Sequence, residues 1–247
     1  MRRRFFSNKT GEKIDLLNNY FAIEALEDGL TAKLSTNACE YRIDDGSWNT
    51  LSTDTNTSSI NKGQTLSFRG NLTPASNQGI GTFTISRKCN LKGNIMSLLY
   101  GDDFIDETDL TGYDYAFYYL FNNCTNIVDA SELELPATTL ASYCYYYMFF
   151  NCTGLTIAPE LPATTLTYDC YYAMFRGCDK LNYIKMLATD ISASGCLTNW
   201  VNGVSSTGTF VKHLDMNSLP TGVNGIPSGW TVENHSQGGG AVGGEGG

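Results

Sequence analysis

Ala116-Phe117-Tyr118-Tyr119-Leu120-Phe121-Asn122-Asn123-Cys124 returns as Cys144-Tyr145-Tyr146-Tyr147-Met148-Phe149-Phe150-Asn151-Cys152, and again as Cys170-Tyr171-Tyr172-Ala173-Met174-Phe175-Arg176-Gly177-Cys178. A second marker keeps the same phase. Leu135-Pro136-Ala137-Thr138-Thr139-Leu140 recurs 26 residues later as Leu161-Pro162-Ala163-Thr164-Thr165-Leu166, and a worn copy without the proline stands at Leu187-Ala188-Thr189-Asp190-Ile191. Cys124 to Cys152 is 28 residues and Cys152 to Cys178 is 26, so the first unit carries two extra residues. A unit of this size with a fixed Leu, Phe and Cys skeleton cannot bury its apolar side alone and must stack on the next. The repeat therefore predicts a short solenoid over 113–199, about three units long. Each unit is expected to be a strand plus a short helical turn whose Met, Phe and Cys point inward, closed by a Leu-Pro corner.

The residues before the repeat have another texture. Tyr41-Arg42-Ile43-Asp44 alternates apolar with polar, Asp45-Gly46 is a hairpin dipeptide, and Ser47-Trp48-Asn49-Thr50-Leu51 alternates again. Lys62-Gly63 turns the chain before Thr65-Leu66-Ser67-Phe68, and Gly79 and Gly81 precede Thr82-Phe83-Thr84-Ile85-Ser86. Turn signals at this spacing predict a small antiparallel β-sandwich, Ig-like in arrangement, over 18–92. Residues 93–112 read as an acidic linker. Residues 200–234 read as a C-terminal cap, with Trp200, Val201, Phe210, Val211, Ile226 and Trp230 as its apolar plug. A basic arm (1–17) with Arg2, Arg3 and Arg4 precedes these units, and a flexible glycine-rich tail (235–247) follows them. The expected fold class is β-rich throughout: sandwich, repeat solenoid, cap.

Composition narrows the function. Sixteen basic against 25 acidic side chains give a formal net charge of −9 and a pI near 4.6, which argues against a nucleic-acid binder that tracks phosphates. No apolar run of about 18 residues is present, so no membrane insertion is expected. Met1-Arg2-Arg3-Arg4-Phe5-Phe6 runs directly into polar residues, so no secretion signal is read there. The sequons at Asn71, Asn123 and Asn151 then carry little weight.

Six of the eight cysteines fall into two ladders, Cys124, Cys152, Cys178 and Cys144, Cys170, Cys196. Repeat phase explains them as buried thiols stacked along the coils, and no Cys-x-x-Cys pair points to a metal. Cys39 and Cys89 lie in the expected sandwich, where a bridge formed in an oxidising exterior and two free thiols both fit. His213 and His235 stand apart from any second ligand or nucleophile. No His-Glu-x-x-His, Gly-x-Ser-x-Gly or phosphate-cradling loop occurs. The acidic run Asp102, Asp103, Asp106, Glu107, Asp109 lacks the EF-hand phase and reads as a solvated linker or helix start. The chain is thus expected to have no catalytic residues, no cofactor and no metal.

The tyrosines are more informative. Twelve of the 15 lie between Tyr113 and Tyr183. Phe117, Tyr145, Tyr171 and Tyr118, Tyr146, Tyr172 keep their character from unit to unit, as a stacked core would. Tyr119, Tyr147, Ala173 and Asn122, Phe150, Arg176 and Tyr115, Tyr143, Asp169 vary, so the stack does not dictate them. Tyrosine offers large amphipathic area at low entropy cost. Tyr119, Tyr143, Tyr147 and Phe150 are therefore the candidate interaction surface, with Tyr147 pointing outward.

Phe149-Phe150-Asn151-Cys152-Thr153-Gly154-Leu155 and Phe175-Arg176-Gly177-Cys178-Asp179-Lys180-Leu181 share the phase Phe-x-x-Cys-x-x-Leu, followed by the Leu-Pro corner. This pattern resembles the BspA-like leucine-rich repeats of bacterial surface proteins. The whole arrangement is similar to gut-bacterial and bacteriophage proteins that join a β-rich N-terminal module to such repeats. The resemblance implies a non-enzymatic virion structural protein, a tail or head fibre or a receptor-binding component. Arg2, Arg3 and Arg4 would then anchor it to other virion proteins, further copies would make a homo-oligomer, and the repeat surface would face a host glycan or protein. The alternative it implies is a bacterial cell-surface or extracellular adhesin.

Overall fold

A computed structural model describes residues 5–7, 13–15 and 19–235. Arg2, Arg3, Arg4 and the tail from 236 onward lie outside the described residues. Strands β1 (Phe5–Ser7) and β2 (Lys13–Asp15) pair antiparallel. Seven strands follow: β3 (Ala22–Ala25), β4 (Ala32–Leu34), β5 (Cys39–Ile43), β6 (Asn49–Leu51), β7 (Thr65–Arg69), β8 (Phe83–Ile85) and β9 (Cys89–Asn94). The hairpin expected at Asp45-Gly46 joins β5 to β6 with Tyr41 opposite Asn49. Its turn is closed by Gly46 N–H donating to Ile43 O at 2.9 Å. Strands β6, β5, β7, β3 and β9 form one antiparallel sheet in that order, while β4 and β8 pair as a separate ribbon. Phe21, Phe68, Phe83 and Leu34 are fully buried among these strands.

The segment read as an acidic linker, 93–112, is packed into the core. It carries helix α1 (Ser97–Tyr100), and Ile95, Met96, Leu98, Leu99, Phe104 and Leu110 are buried. The Ser97 hydroxyl accepts from Phe21 N–H at 3.0 Å and donates to Phe68 O at 2.9 Å, tying the segment across β3 and β7. Acidic residues are the only charged ones in this stretch, but its apolar residues determine where it sits.

The short helix expected in each repeat does not form. Residues 113–124, 141–152 and 167–178 are chains of tight turns. Ala116, Tyr118, Leu120, Asn122 and Cys124 each donate their N–H to the carbonyl three residues back, at 3.0–3.2 Å. The residues between them donate along the stack: Phe117 to Cys144 O (2.7 Å), Tyr119 to Tyr146 O (3.0 Å) and Phe121 to Met148 O (2.9 Å). The next coil repeats this as Tyr145 to Cys170 O, Tyr147 to Tyr172 O and Phe149 to Met174 O. A helix would use every N–H within its own segment; here alternate N–H groups bind the following coil. The stack also continues beyond 199, because Tyr171, Ala173 and Phe175 donate to Cys196, Thr198 and Trp200. Trp200 and Val201 therefore belong to a fourth coil, while the cap loop closes on it through Trp200 Nε1 to Gly225 O (2.9 Å) and Val201 N–H to Val223 O (3.3 Å).

On the other side of each coil the chain runs extended. Strand β10 (Ile127–Glu134) pairs parallel with β9. Parallel bridges then lead from Asp129 to Ile157 and from Ile157 to Tyr183, where β11 (Tyr183–Met186), β12 (Thr209–His213) and β13 (Thr231–His235) continue in parallel. The N-terminal sheet and the coils thus share one run of strands through β9. A single buried apolar cluster extends from Tyr20 to Trp230.

Candidate interaction surface

A four-residue period governs the tight turns. Tyr115, Tyr119 and Asn123 have φ of 63°, 57° and 60°; Tyr143, Tyr147 and Asn151 have 59°, 54° and 56°. Asp169, Ala173 and Gly177 follow in the third coil, then Gly195, Asn199 and Gly203 in the fourth. Every fourth residue is therefore left-handed, a region natural to glycine and asparagine but costly for bulky L side chains.

Two of these tyrosine positions build ring ladders. Tyr115 stacks on Tyr143 with centroids 4.5 Å apart and planes 4° apart, and Tyr119 stacks on Tyr147 at 5.0 Å and 10°. Tyr146 lies between Tyr118 (4.9 Å) and Tyr172 (4.6 Å) in a third ladder. An edge contact between Tyr118 and Tyr119 at 4.4 Å and a tilted contact between Tyr143 and Tyr146 at 5.8 Å join the ladders. Phe150 meets Tyr147 edge-on at 4.8 Å, and the Arg176 guanidinium lies 5.8 Å from the Phe150 centroid. All of these side chains are half-buried. The structure thus brings Tyr119, Tyr143, Tyr147 and Phe150 into one continuous patch.

The variable positions do not all face outward. Ala173, the equivalent of Tyr147, is fully buried, and Tyr147 leans on Tyr172 at 5.6 Å where a third ring is missing. Conversely Tyr118, Tyr146 and Tyr172, read from their constancy as core, are half-buried members of the same patch. Constancy between units here reflects ring-on-ring contact at the surface. Phe117, Tyr145 and Tyr171 are buried as expected.

Four phenols of the patch are held above their ordinary value. Its hydrogen bond with Tyr168, followed by lost solvation, pushes the Tyr143 phenol up to about 12. Burial and neighbouring phenols raise Tyr118 and Tyr146 as well, and burial raises Tyr147 against the opposing pull of Arg176. The faces of the rings are turned to one another, so the surface offers ring edges and hydroxyls.

All eight cysteines are buried and free, which settles Cys39 and Cys89 as separate thiols. Cys124, Cys152 and Cys178 donate their S–H to the Phe83, Phe121 and Phe149 carbonyls, each at 3.0 Å. Burial raises every one of these thiols; Cys39, Cys124 and Cys170 are pushed up to about 12, from an ordinary value of 9.0. An acid whose folded pKa lies above its unfolded one contributes stability that is complete below the unfolded value and is lost as pH rises toward the folded one. The urea midpoint is therefore expected to hold from about pH 6 to about pH 8 and to fall steeply between about pH 9 and pH 11. Cys39, Cys124 and Cys170 each contribute a loss of about 1.4 kcal/mol per pH unit in that window. A midpoint unchanged at about pH 10.5 would contradict the burial of the ladders.

Among the described residues no group of three or more His, Cys, Asp or Glu side chains is placed to hold a metal ion. No helix among them is long and apolar enough to cross a membrane. No protein-family model, curated protein or solved structure matches the chain.

Proposed function

We propose that the chain is a non-enzymatic surface-recognition protein of the BspA-like leucine-rich-repeat kind, carried on a bacteriophage particle as a fibre or receptor-binding component. The tyrosine patch is its contact surface. One observation carries this reading: Tyr115, Tyr119, Tyr143 and Tyr147 occupy left-handed positions that Asp169, Ala173, Gly195 and Asn199 fill in the third and fourth coils of the same stack. An L side chain there costs about 1–2 kcal/mol, and the third and fourth coils show that the backbone path does not need tyrosine. Local strain kept without a folding reason marks sites under another demand. Rigid phenols on a hydrogen-bonded ladder meet the demand of protein or glycan recognition.

The parallel bridges from Asp129 through Ile157 to Tyr183 support the fibre element, since they join the sheet that ends in β10 to the sheet that begins at β11. In this reading the Arg2, Arg3, Arg4 arm anchors the chain to other virion proteins or to further copies of itself. Two measurements test the proposal. Mass spectrometry of purified particles should find the chain among the structural proteins; its absence would remove the virion placement. Tyr147→Gly should melt within about 4 °C of the parent, because relieved backbone strain offsets the lost stacking on Tyr119. Adsorption to host cells should fall by about tenfold or more. Normal adsorption with an intact fold would remove the tyrosine patch from the contact surface.

A further inference from the structure

Between Tyr113 and Tyr183 every tyrosine but one touches another aromatic ring. The exception among the described residues is Tyr183, the first residue of β11, on the strand side of the coils. Its half-buried ring lines a groove of about 320 Å³ with Ser131, Ile157, Pro162, Glu160 and Lys185.

The groove exists because the run of strands is interrupted. Ala130 N–H reaches Ile157 O at 3.1 Å, but among the described residues no backbone hydrogen bond joins 131–134 to 158–161. Ala158-Pro159-Glu160 occupies the facing position, and proline has no N–H to offer a neighbouring strand. The two lips of the gap therefore stay apart, and side chains of β10, 157–162 and β11 form the walls.

The lining is specific. Lys185 Nζ donates to Glu160 Oε2 at 2.9 Å, with the Lys185 side chain only 15% exposed and Glu160 42% exposed. The ammonium keeps further N–H donors and the carboxylate keeps further lone pairs. A fixed donor and acceptor side by side match two adjacent hydroxyls, and an unstacked phenol beside Ile157 and Pro162 matches a flat apolar C–H face. Glu134 also lines the groove, so its carboxylates outnumber its one cation and disfavour an anionic ligand. The volume is at the small end of ligand clefts and suits one or two sugar rings better than a folded partner. We propose that this groove binds a neutral pyranose unit, with Tyr183 against the ring face and the Glu160–Lys185 pair on vicinal hydroxyls. This site is separate from the tyrosine patch and does not depend on it.

Saturation-transfer difference NMR on the full chain tests this, with maltose, cellobiose, lactose and diacetylchitobiose as neutral probes and glucuronate as the anionic one. At least one neutral disaccharide should receive saturation at its ring C–H protons, while glucuronate should not. Tyr183→Ala should weaken that binding by about tenfold or more, Tyr183→Phe should retain it, and Tyr147→Ala should leave it unchanged. If Tyr183→Ala fails to fold, Lys185→Gln provides the same test, since it removes the ammonium and keeps the ring. Silence from all four neutral probes, equal binding of glucuronate, or wild-type binding by the folded Tyr183→Ala or Lys185→Gln protein would overturn the proposal. Binding of an extended prolyl peptide that excludes the disaccharides would overturn it as well.

Discussion

Phe149→Ala should lower the folding free energy by about 3–5 kcal/mol, roughly a third to a half of what a domain of this kind has to lose. Phe149 is fully buried in a column of rings that crosses the whole stack. Phe83 stacks on Phe121 at 5.9 Å, Phe121 on Phe149 at 5.3 Å, and Phe149 on Phe175 at 5.6 Å; Phe175 then meets Trp200 at 6.1 Å. The rings above and below cannot close over a missing one. Their backbones are held at the coil spacing by Phe121 N–H to Met148 O and Phe175 N–H to Trp200 O. The cavity therefore stays open, which places the substitution at the costly end of its class. Urea denaturation at neutral pH gives the number directly. A loss below about 1.5 kcal/mol would show that the column tolerates collapse and that coil spacing is softer than the ladder implies.

That column was legible in the sequence, because residues recurring at a fixed separation in a stack must share one environment. The same logic placed the two cysteine ladders. It failed at Tyr118, Tyr146 and Tyr172, where the shared environment is a ring ladder at the surface and constancy looks the same from either side. The path of the backbone was hidden for a different reason. Tyrosine at 115, 119, 143 and 147 carries no left-handed signal, so a helical turn was the natural reading of Tyr-Tyr-x-Met-Phe. Asn123, Asn151, Gly177 and Gly203 did carry that signal, each closing one coil. The fourth coil escaped because Trp200 and Val201 replace Met174 and Phe175, keeping the apolar volume while erasing the motif. In 93–112 the acidic residues obscured Phe104 and Leu110, which are buried and fix the segment in place. The groove at Tyr183 depends on a strand gap, and Pro159 was its only trace in the chain.

Gly93→Ala should cost about 3 kcal/mol or more and should weaken both halves of the molecule together. Gly93 has φ +71° within β9, one residue past the end of its pairing with β3, while β10 continues to pair along its other edge. A Cβ there would stand 2.0 Å from Tyr20 O and 2.8 Å from Tyr20 C. Those are backbone atoms that cannot rotate aside, because Asn94 N–H donates to Asn19 O at 2.9 Å just beyond them. Gly63→Ala is the matched control: φ is +84° but nothing lies within 4 Å of the added atom, so only the conformational cost of about 1–2 kcal/mol applies. The excess of the first substitution over the second isolates the clash. Because one buried cluster extends from Tyr20 to Trp230, the parent chain should unfold in a single transition that Gly93→Ala moves as a whole. Two separate transitions, only one of them shifted, would mean that β9 merely joins two independent bodies. The lever arm between anchor and contact surface would then be a hinge, and the stiff fibre proposed above would lose its mechanical basis.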